Sequence, residues 1–192
     1  MQIINSIVKN NCFILTGGPG AGKTTVLNEL RKRGIACLEE VAREIIRQQM
    51  ETGGNALPWA DVLQYKKIML EKTINQFMNE GSEPSRIYFF DRGIPDIVSY
   101  SRLIKAPVEN FLDDACRRYR CNKMVFIFPP WKEIYTTDKE RKQDFEEAVR
   151  TYEVLKETYQ EYHYQIIDIP PASVEERADL IVALIKNAMI TS

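Results

Sequence analysis

A glycine-rich stretch near the N-terminus has the residue types and spacing that bind a polyphosphate. Gly17, Gly22, Lys23 and Thr24 fit the pattern G-x-x-x-x-G-K-[ST] of the phosphate-binding P-loop, also called Walker A. The apolar run Cys12–Leu15 precedes the glycines and a helical pattern follows them, which is the strand and helix context that the motif requires. The sequence therefore predicts a P-loop.

The chemistry of such a loop explains its composition. Glycines allow several backbone N–H groups to point at one centre, and the following helix adds its positive N-terminus. Lys23 is then expected to reach the β- and γ-phosphates, and the Thr24 hydroxyl is expected to bind the accompanying Mg²⁺. The residues predicted to hold the nucleotide are Gly17, Gly18, Gly20, Ala21, Gly22, Lys23, Thr24 and Thr25.

Asp91 is the second candidate for chemistry, because it follows the apolar run Ile87–Phe90. An acid at the end of a buried strand can bind Mg²⁺, usually through water, or accept a proton from an attacking hydroxyl. The alternative is a strand-ending acid that only caps the following turn. With a P-loop in the same chain, we predict that Asp91 is catalytic and, together with Thr24, a metal ligand.

Composition limits the kinds of partner and location. The 192 residues suit one domain, residues 1–192, and the net charge of −1 gives no overall electrostatic case for nucleic acid or an anionic membrane. No apolar run of membrane-spanning length is present, and the four cysteines form no C-x-x-C pair. These features favour a reduced, cytoplasmic protein.

Short apolar runs alternate with helical patterns along the chain, which predicts an α/β fold. Five such runs predict a parallel sheet covered by helices on both faces, a three-layer arrangement. The expected strands are Cys12–Leu15, Ile35–Leu38, Ile87–Phe90, Met124–Phe128 and Tyr164–Ile169. Residues 1–11 are predicted to be a leader into the first strand, and Pro107–Tyr119 is predicted to contain a helix. In such sheets ligands bind beyond the carboxyl ends of the strands.

Two classes of P-loop protein fit this sequence poorly. A GTPase switch usually carries Asn-Lys-x-Asp, whereas Asn122-Lys123 is followed by Met124 and precedes a strand. An AAA-type mechanical ATPase usually carries Asp-Glu where this chain has Asp91-Arg92. Both comparisons favour a kinase-like P-loop protein.

The Asp91-Arg92 step is similar to the Asp/Glu-Arg step of thymidylate and deoxynucleoside kinases. A wider set of motifs resembles the kinase domain of NadR-type proteins, which phosphorylate ribosylnicotinamide, and a bacterial branch of that AAA-domain family. The matching motifs are Gly17–Thr24, Glu40–Glu44, Phe89–Asp91, Trp131 and Asp138–Arg141. The resemblance covers about residues 12–185 and implies a nucleoside-kinase-like P-loop NTPase fold, ATP with Mg²⁺, and a small acceptor. Ribosylnicotinamide kinases lack the Arg92-Gly93 step.

The resemblance also suggests residues that contact the acceptor. Glu40 and Arg43 are expected to bind acceptor hydroxyls and an anionic group, respectively, or else to form an exposed surface pair at spacing i, i+3. Arg92 is expected to bind the acceptor or a phosphate through its fork of donors, or else to pair with a neighbouring acid.

Two further residues complete the predicted site. Arg141 lies in a charged segment and is expected either to close over the transferring phosphoryl group as a lid arginine or to begin a solvated helix. Trp131 follows a strand at the active edge and is a better candidate than Trp59 to stack on a substrate ring, although large aromatics more often belong to the core or its margin.

The sequence thus predicts an ATP- and Mg²⁺-dependent phosphotransferase with a small, nucleoside-like or other hydroxyl-bearing acceptor. The catalytic residues are expected to be Lys23, Asp91, Arg92 and Arg141. Two alternatives remain open: an ATPase in which water is the acceptor, and a nucleotide-sensing module that turns over little.

Overall fold

The computed structural model of the protein describes residues 5–134 and 145–190. The strands are β1 (Ile7–Lys9), β2 (Cys12–Gly17), β3 (Ala36–Leu38), β4 (Tyr88–Asp91), β5 (Tyr119–Cys121), β6 (Met124–Phe128) and β7 (Gln165–Asp168). The α-helices are α1 (Lys23–Lys32), α2 (Val41–Thr52), α3 (Val62–Asn79), α4 (Ile94–Leu103), α5 (Asn110–Arg118), α6 (Phe145–Glu161) and α7 (Val174–Ile190). A short 3₁₀-helix spans Lys132–Ile134. No helix in these ranges is long and apolar enough to cross a membrane.

The main sheet has five parallel strands in the order β3-β4-β2-β6-β7, which confirms the predicted sheet. The P-loop strand β2 lies at its centre. The register sets Leu15 beside Asp91 and Gly17 beside Phe128. Because all five strands run in the same direction, their carboxyl ends form one edge, and the P-loop and Asp91 both lie there.

Helices cover both faces of the sheet, so the protein has three layers. Phe13 and Leu15 of β2 pack into one core together with apolar side chains of α1 and α7. Ile14 packs into the other core, on the opposite face, with side chains of α3 to α6. Every residue of β2 is buried, as expected for a central parallel strand that is covered on both sides.

A second, two-stranded parallel sheet pairs β1 with β5 and was not predicted. The leader into the first strand contains a strand of its own. Helix α5 lies within the segment Pro107–Tyr119 that was predicted to contain a helix, and the last residue of that segment, Tyr119, begins β5. Lys9 Nζ donates hydrogen bonds to the carbonyl oxygens of Phe77 (2.5 Å), Met78 (3.1 Å) and Glu80 at the end of α3. A cation at a helix C-terminus interacts favourably with the helix dipole, so this contact anchors β1.

Gly17 is a position where the fold requires glycine. Its φ is +150°, and a Cβ atom built there would lie 2.7 Å from the backbone oxygen of Phe128. We expect Gly17→Ala to lower the free energy of unfolding by about 1–3 kcal/mol, because the neighbouring strand would have to move. Urea unfolding measures the loss. Gly34→Ala is the control: Gly34 has φ +81° but open space around it, so a loss equal to that of Gly17→Ala would contradict the steric explanation.

Candidate functional site

The P-loop connects β2 to α1 in a conformation that depends on glycine. Gly20 and Gly22 have φ angles of 77° and 79°, in the left-handed region that glycine adopts at little cost. The first turn of α1 contains no acidic residue, so no side chain there offsets the positive N-terminus of the helix. The loop therefore presents backbone N–H groups and a helix N-terminus to the same space, as an anion site requires.

Lys23 begins α1 and is ion-paired with Asp91 at the end of β4. Lys23 Nζ lies 3.1 Å from Asp91 Oδ1, and each side chain is only 8% exposed. The pair is held by charge rather than by an aligned hydrogen bond, since Oδ1 is buried and has no hydrogen-bond donor among the described residues. Two of the four side chains predicted to be catalytic, Lys23 and Asp91, therefore contact each other.

The donor set at this position fits Mg²⁺. A hard cation prefers oxygen ligands, and a buried carboxylate oxygen without a hydrogen-bond donor is available for one. The Thr25 hydroxyl donates a hydrogen bond to the Gly22 carbonyl at 2.6 Å, whereas the exposed Thr24 hydroxyl has no such partner in the described parts of the chain. Thr24 and Asp91 are thus the residues that would hold the ion.

Arg92 links two acidic side chains from different elements. Its Nε lies 2.8 Å from Glu40 Oε1 at the start of α2, and its Nη1 lies 3.0 Å from Asp96 Oδ1 in α4. Burial alone would lower the pKa of Arg92, but the carboxylates of Glu40, Asp96 and Asp91 raise it. The backbone at Arg92 has a φ of 74°, an unusual angle for a non-glycine residue at a strand end.

Asp96 is a site residue that the sequence reasoning missed. It is buried and accepts hydrogen bonds from Thr16 Oγ1 (2.6 Å), from the Gly93 N–H (2.8 Å) and from the Tyr159 hydroxyl. These donors come from the P-loop strand, the turn after β4 and helix α6. An available signal was its position in the first turn of the helix that Pro95 opens, where an acid can accept a hydrogen bond from the backbone N–H of the N-cap residue.

The remaining predicted residues differ in their placement. The side chain of Arg43 is 72% exposed, and its Nε lies 3.4 Å from Glu40 Oε2. Both possibilities predicted for Arg43, a substrate contact and a surface pair, are therefore open. Trp131 is half-buried and stacks on Arg177, with 5.4 Å from the guanidinium carbon to the ring centre. Arg141 lies outside the described residues. The roles of all three in binding or catalysis stay predictions.

A cavity of about 1100 Å³ extends from the P-loop across Asp91 towards α2, α3 and α4. Trp131 is absent from its lining, whereas Trp59, 65% exposed, is part of it. Its far end mixes apolar, aromatic and amide side chains: Ile46, Met50, Trp59, Tyr65, Met69, Gln76, Ile97, Tyr100 and Leu103. The cavity therefore has a polyphosphate end and a more apolar end, with Glu40, Asp91 and Arg92 between them.

The Glu40–Arg92 pair should be visible in the pH dependence of stability. Burial alone would raise the pKa of Glu40, but the positive charges of Arg92, Lys23 and Arg43 outweigh burial and hold the pKa below its ordinary value of 4.5. Because the folded-state pKa is depressed, Glu40 stabilises the fold above that ordinary value. This contribution is lost as pH falls through the folded-state pKa.

We therefore expect the free energy of unfolding to fall less between pH 6 and about pH 4 in Glu40→Gln than in the wild type. Urea unfolding at both pH values measures the difference. Glu39→Gln is the matched control, since Glu39 is the preceding residue and pairs with Arg31 at the surface. An unchanged pH dependence in Glu40→Gln would mean that the ion pair contributes nothing in solution.

The sequence matches the profile of a family described as an AAA domain, over residues 12–177. The chain belongs to this AAA domain family. The match covers the P-loop, the Glu40–Arg92 pair and Asp96, so the site is built from residues of the family domain. The predicted resemblance to an AAA-domain family is thus confirmed. No curated protein sequence matches the chain at a significant level.

Solved structures confirm the fold. Deoxyadenosine kinase from M. mycoides, with dCMP and a flexible dCDP bound, superposes with a TM-score of 0.67 at 15% identity, over 92% of this chain and 99% of that chain. NadR in complex with NR superposes with a TM-score of 0.67 at 16% identity, over 91% of this chain and 50% of that chain. Thymidylate kinase from Ehrlichia chaffeensis superposes with a TM-score of 0.58 at 14% identity, over 94% of this chain and 100% of that chain. The predicted nucleoside-kinase-like P-loop fold is therefore correct.

Proposed function

We propose that this protein transfers the γ-phosphoryl group of ATP, with Mg²⁺, to a hydroxyl of a small nucleoside-like acceptor. The observation that carries the proposal is the extent of the cavity beyond the P-loop. Pockets for one small ligand usually measure about 300–1,000 Å³, and an ATPase needs room for only one water molecule beside the γ-phosphate. A cavity of about 1100 Å³ has space for a nucleotide and a second small substrate.

The far end of the cavity indicates the chemistry of that second substrate. Met50, Met69 and Tyr100 are suited to the faces of a ring. Gln76 and Glu40 offer hydrogen-bonding groups for hydroxyls or ring nitrogens. A nucleoside-like acceptor has both kinds of surface. The structurally similar proteins include a deoxyadenosine kinase and a thymidylate kinase, which supports the same class of acceptor.

The residues at the centre of the cavity have distinct roles in such a transfer. Lys23 leaves its ion pair with Asp91 and donates hydrogen bonds to the β- and γ-phosphates. The ammonium group thus exchanges one anionic partner, a carboxylate, for another, a phosphate. The freed Asp91 orients the acceptor hydroxyl or accepts its proton. Arg92, fixed by Glu40 and Asp96, presents a rigid positive group to the reacting atoms. Bound Mg²⁺ would neutralise charge on the phosphates.

The state of the cysteines supports the proposal of a reducing, cytoplasmic location. Cys12, Cys37, Cys116 and Cys121 are free thiols. Burial raises the pKa of Cys12 and of Cys37 to about 11, so both stay protonated and poorly reactive near neutral pH.

One titration tests the proposed function. ATP and Mg²⁺ are supplied with and without a panel of nucleosides, vitamins and sugars, while ADP release and acceptor phosphorylation are both measured. A kinase gives acceptor-stimulated ADP together with a phosphorylated product. Equal ADP and free phosphate with every member of the panel would overturn the proposal in favour of an ATPase, and tight binding without turnover would favour a nucleotide sensor.

A further inference from the structure

Arg177 is a buried cation without a carboxylate partner among the described residues. It lies in the first turn of α7 and is 4% exposed. Its Nη1 donates to the carbonyl oxygen of Ala21 and its Nε to that of Ser173, each at 3.4 Å, which is long for a hydrogen bond. Buried charges in proteins are usually paired, so this arrangement is costly unless another group supplies negative charge.

The surroundings of Arg177 identify where that negative charge would come from. Arg177 lines the same cavity as the P-loop, together with Val174 from the same turn of α7. Its guanidinium carbon lies 5.4 Å from the ring centre of Trp131 and 5.9 Å from that of Phe128. The side chain of Arg177 thus contacts the P-loop, the loop before α7, the last residue of β6 and Trp131.

We propose that Arg177 is a positioning residue for the donor nucleotide. The polyphosphate of the bound nucleotide balances the charge of Arg177, and the guanidinium holds the Ala21 carbonyl and the Trp131 ring in place. This inference rests on the proposed nucleotide binding. A guanidinium that donates to the Ala21 carbonyl keeps the backbone N–H groups of the P-loop aimed at the phosphates. Its cationic field also favours the triphosphate over an uncharged nucleoside.

This role predicts the opposite effect on stability from that of a purely structural arginine. Burial lowers the pKa of Arg177, as expected for a charge whose desolvation is not compensated. Removing such a charge should leave the nucleotide-free protein at least as stable as before. A structural arginine would instead stabilise the nucleotide-free fold, and its removal would lower the urea midpoint.

The test compares Arg177→Gln with the wild type by urea unfolding without nucleotide and by calorimetry with MgATP and with adenosine. We expect the urea midpoint to be unchanged or higher and the MgATP affinity to fall about tenfold to a hundredfold, with a smaller change for adenosine. Arg33→Gln is the matched control. Arg33 also reaches α7, through Asp179 at 2.5 Å, but lies outside the cavity lining, so its loss should leave MgATP affinity unchanged.

The other outcomes are decisive as well. A lower midpoint with unchanged MgATP affinity would overturn the inference and make Arg177 structural. If both fall, Arg177→Lys decides: recovery of affinity by the retained charge supports positioning, and no recovery overturns it. A wild-type protein that binds no MgATP would overturn the proposed function itself. If the wild type and Arg177→Gln bind MgATP equally well, only the inference about Arg177 is overturned.

Discussion

Lys23→Ala is expected to lower kcat by about 10²–10³-fold or to remove measurable turnover. Lys23 is the only described lysine that lines the cavity. Without its ammonium group, no other side chain from the P-loop can neutralise charge on the transferring phosphoryl group. The loss should occur whether the acceptor is a small molecule or water. ADP release under saturating ATP and acceptor measures it.

Lys32→Ala is the control for Lys23→Ala. Lys32 lies at the other end of the same helix and its side chain is 77% exposed, so its removal should not affect turnover. Circular dichroism and urea unfolding must accompany the assay, since Lys23→Ala leaves the Asp91 carboxylate buried without its partner. Unchanged turnover in a folded Lys23→Ala variant would contradict the site.

Asp91→Asn is expected to lower kcat by about 10²–10⁴-fold while the Kd for ATP changes little. Asparagine keeps the size of the side chain but can neither accept a proton from the acceptor hydroxyl nor supply negative charge to a metal ion. Single-turnover measurements with saturating acceptor separate the chemical step from product release. Calorimetry with ATP measures binding on its own.

Asp114→Asn provides the comparison for Asp91→Asn, because Asp114 is an exposed acid on α5 outside the cavity lining. It should change neither kcat nor ATP affinity. Weakened ATP binding with near-normal chemistry in Asp91→Asn would assign Asp91 to a structural role. In that case the buried ion pair with Lys23 would be its main contribution.

The parts of the fold that were predicted correctly are those with a strong local signal. Buried strands such as Met124–Phe128 are continuous apolar runs, and helix α3 shows the helical spacing over many residues. Strands β1 and β5 have three residues each, with partly exposed side chains, so neither has a pattern that differs from a loop. Their pairing sets Ile7 beside Tyr119, two residues that are far apart in the sequence, so only the folded chain brings them together.

The residues of the candidate site also fall into those that a local sequence signal predicted and those that it did not. The P-loop and Asp91 were predicted because glycine spacing and a strand-ending acid are features of neighbouring residues. Arg177 was missed although it lies three residues after Val174 on the apolar face of α7, where a charged residue is unexpected. The placement of Trp131 beside Arg177, rather than on the wall of the cavity, could not be read from its position after a strand.

The sequence by itself determined the P-loop, the five strands of the main sheet with the helices between them, and the edge of the sheet at which the site lies. These follow from short-range rules: backbone freedom at glycine, hydrophobic periodicity and parallel strand direction. Only the tertiary structure decided that Arg92 is held between Glu40 and Asp96, that Lys23 contacts Asp91, and that a cavity of about 1100 Å³ extends beyond the P-loop. The reason is physical, because ion pairs and cavities depend on distances between distant residues, and only packing fixes those distances.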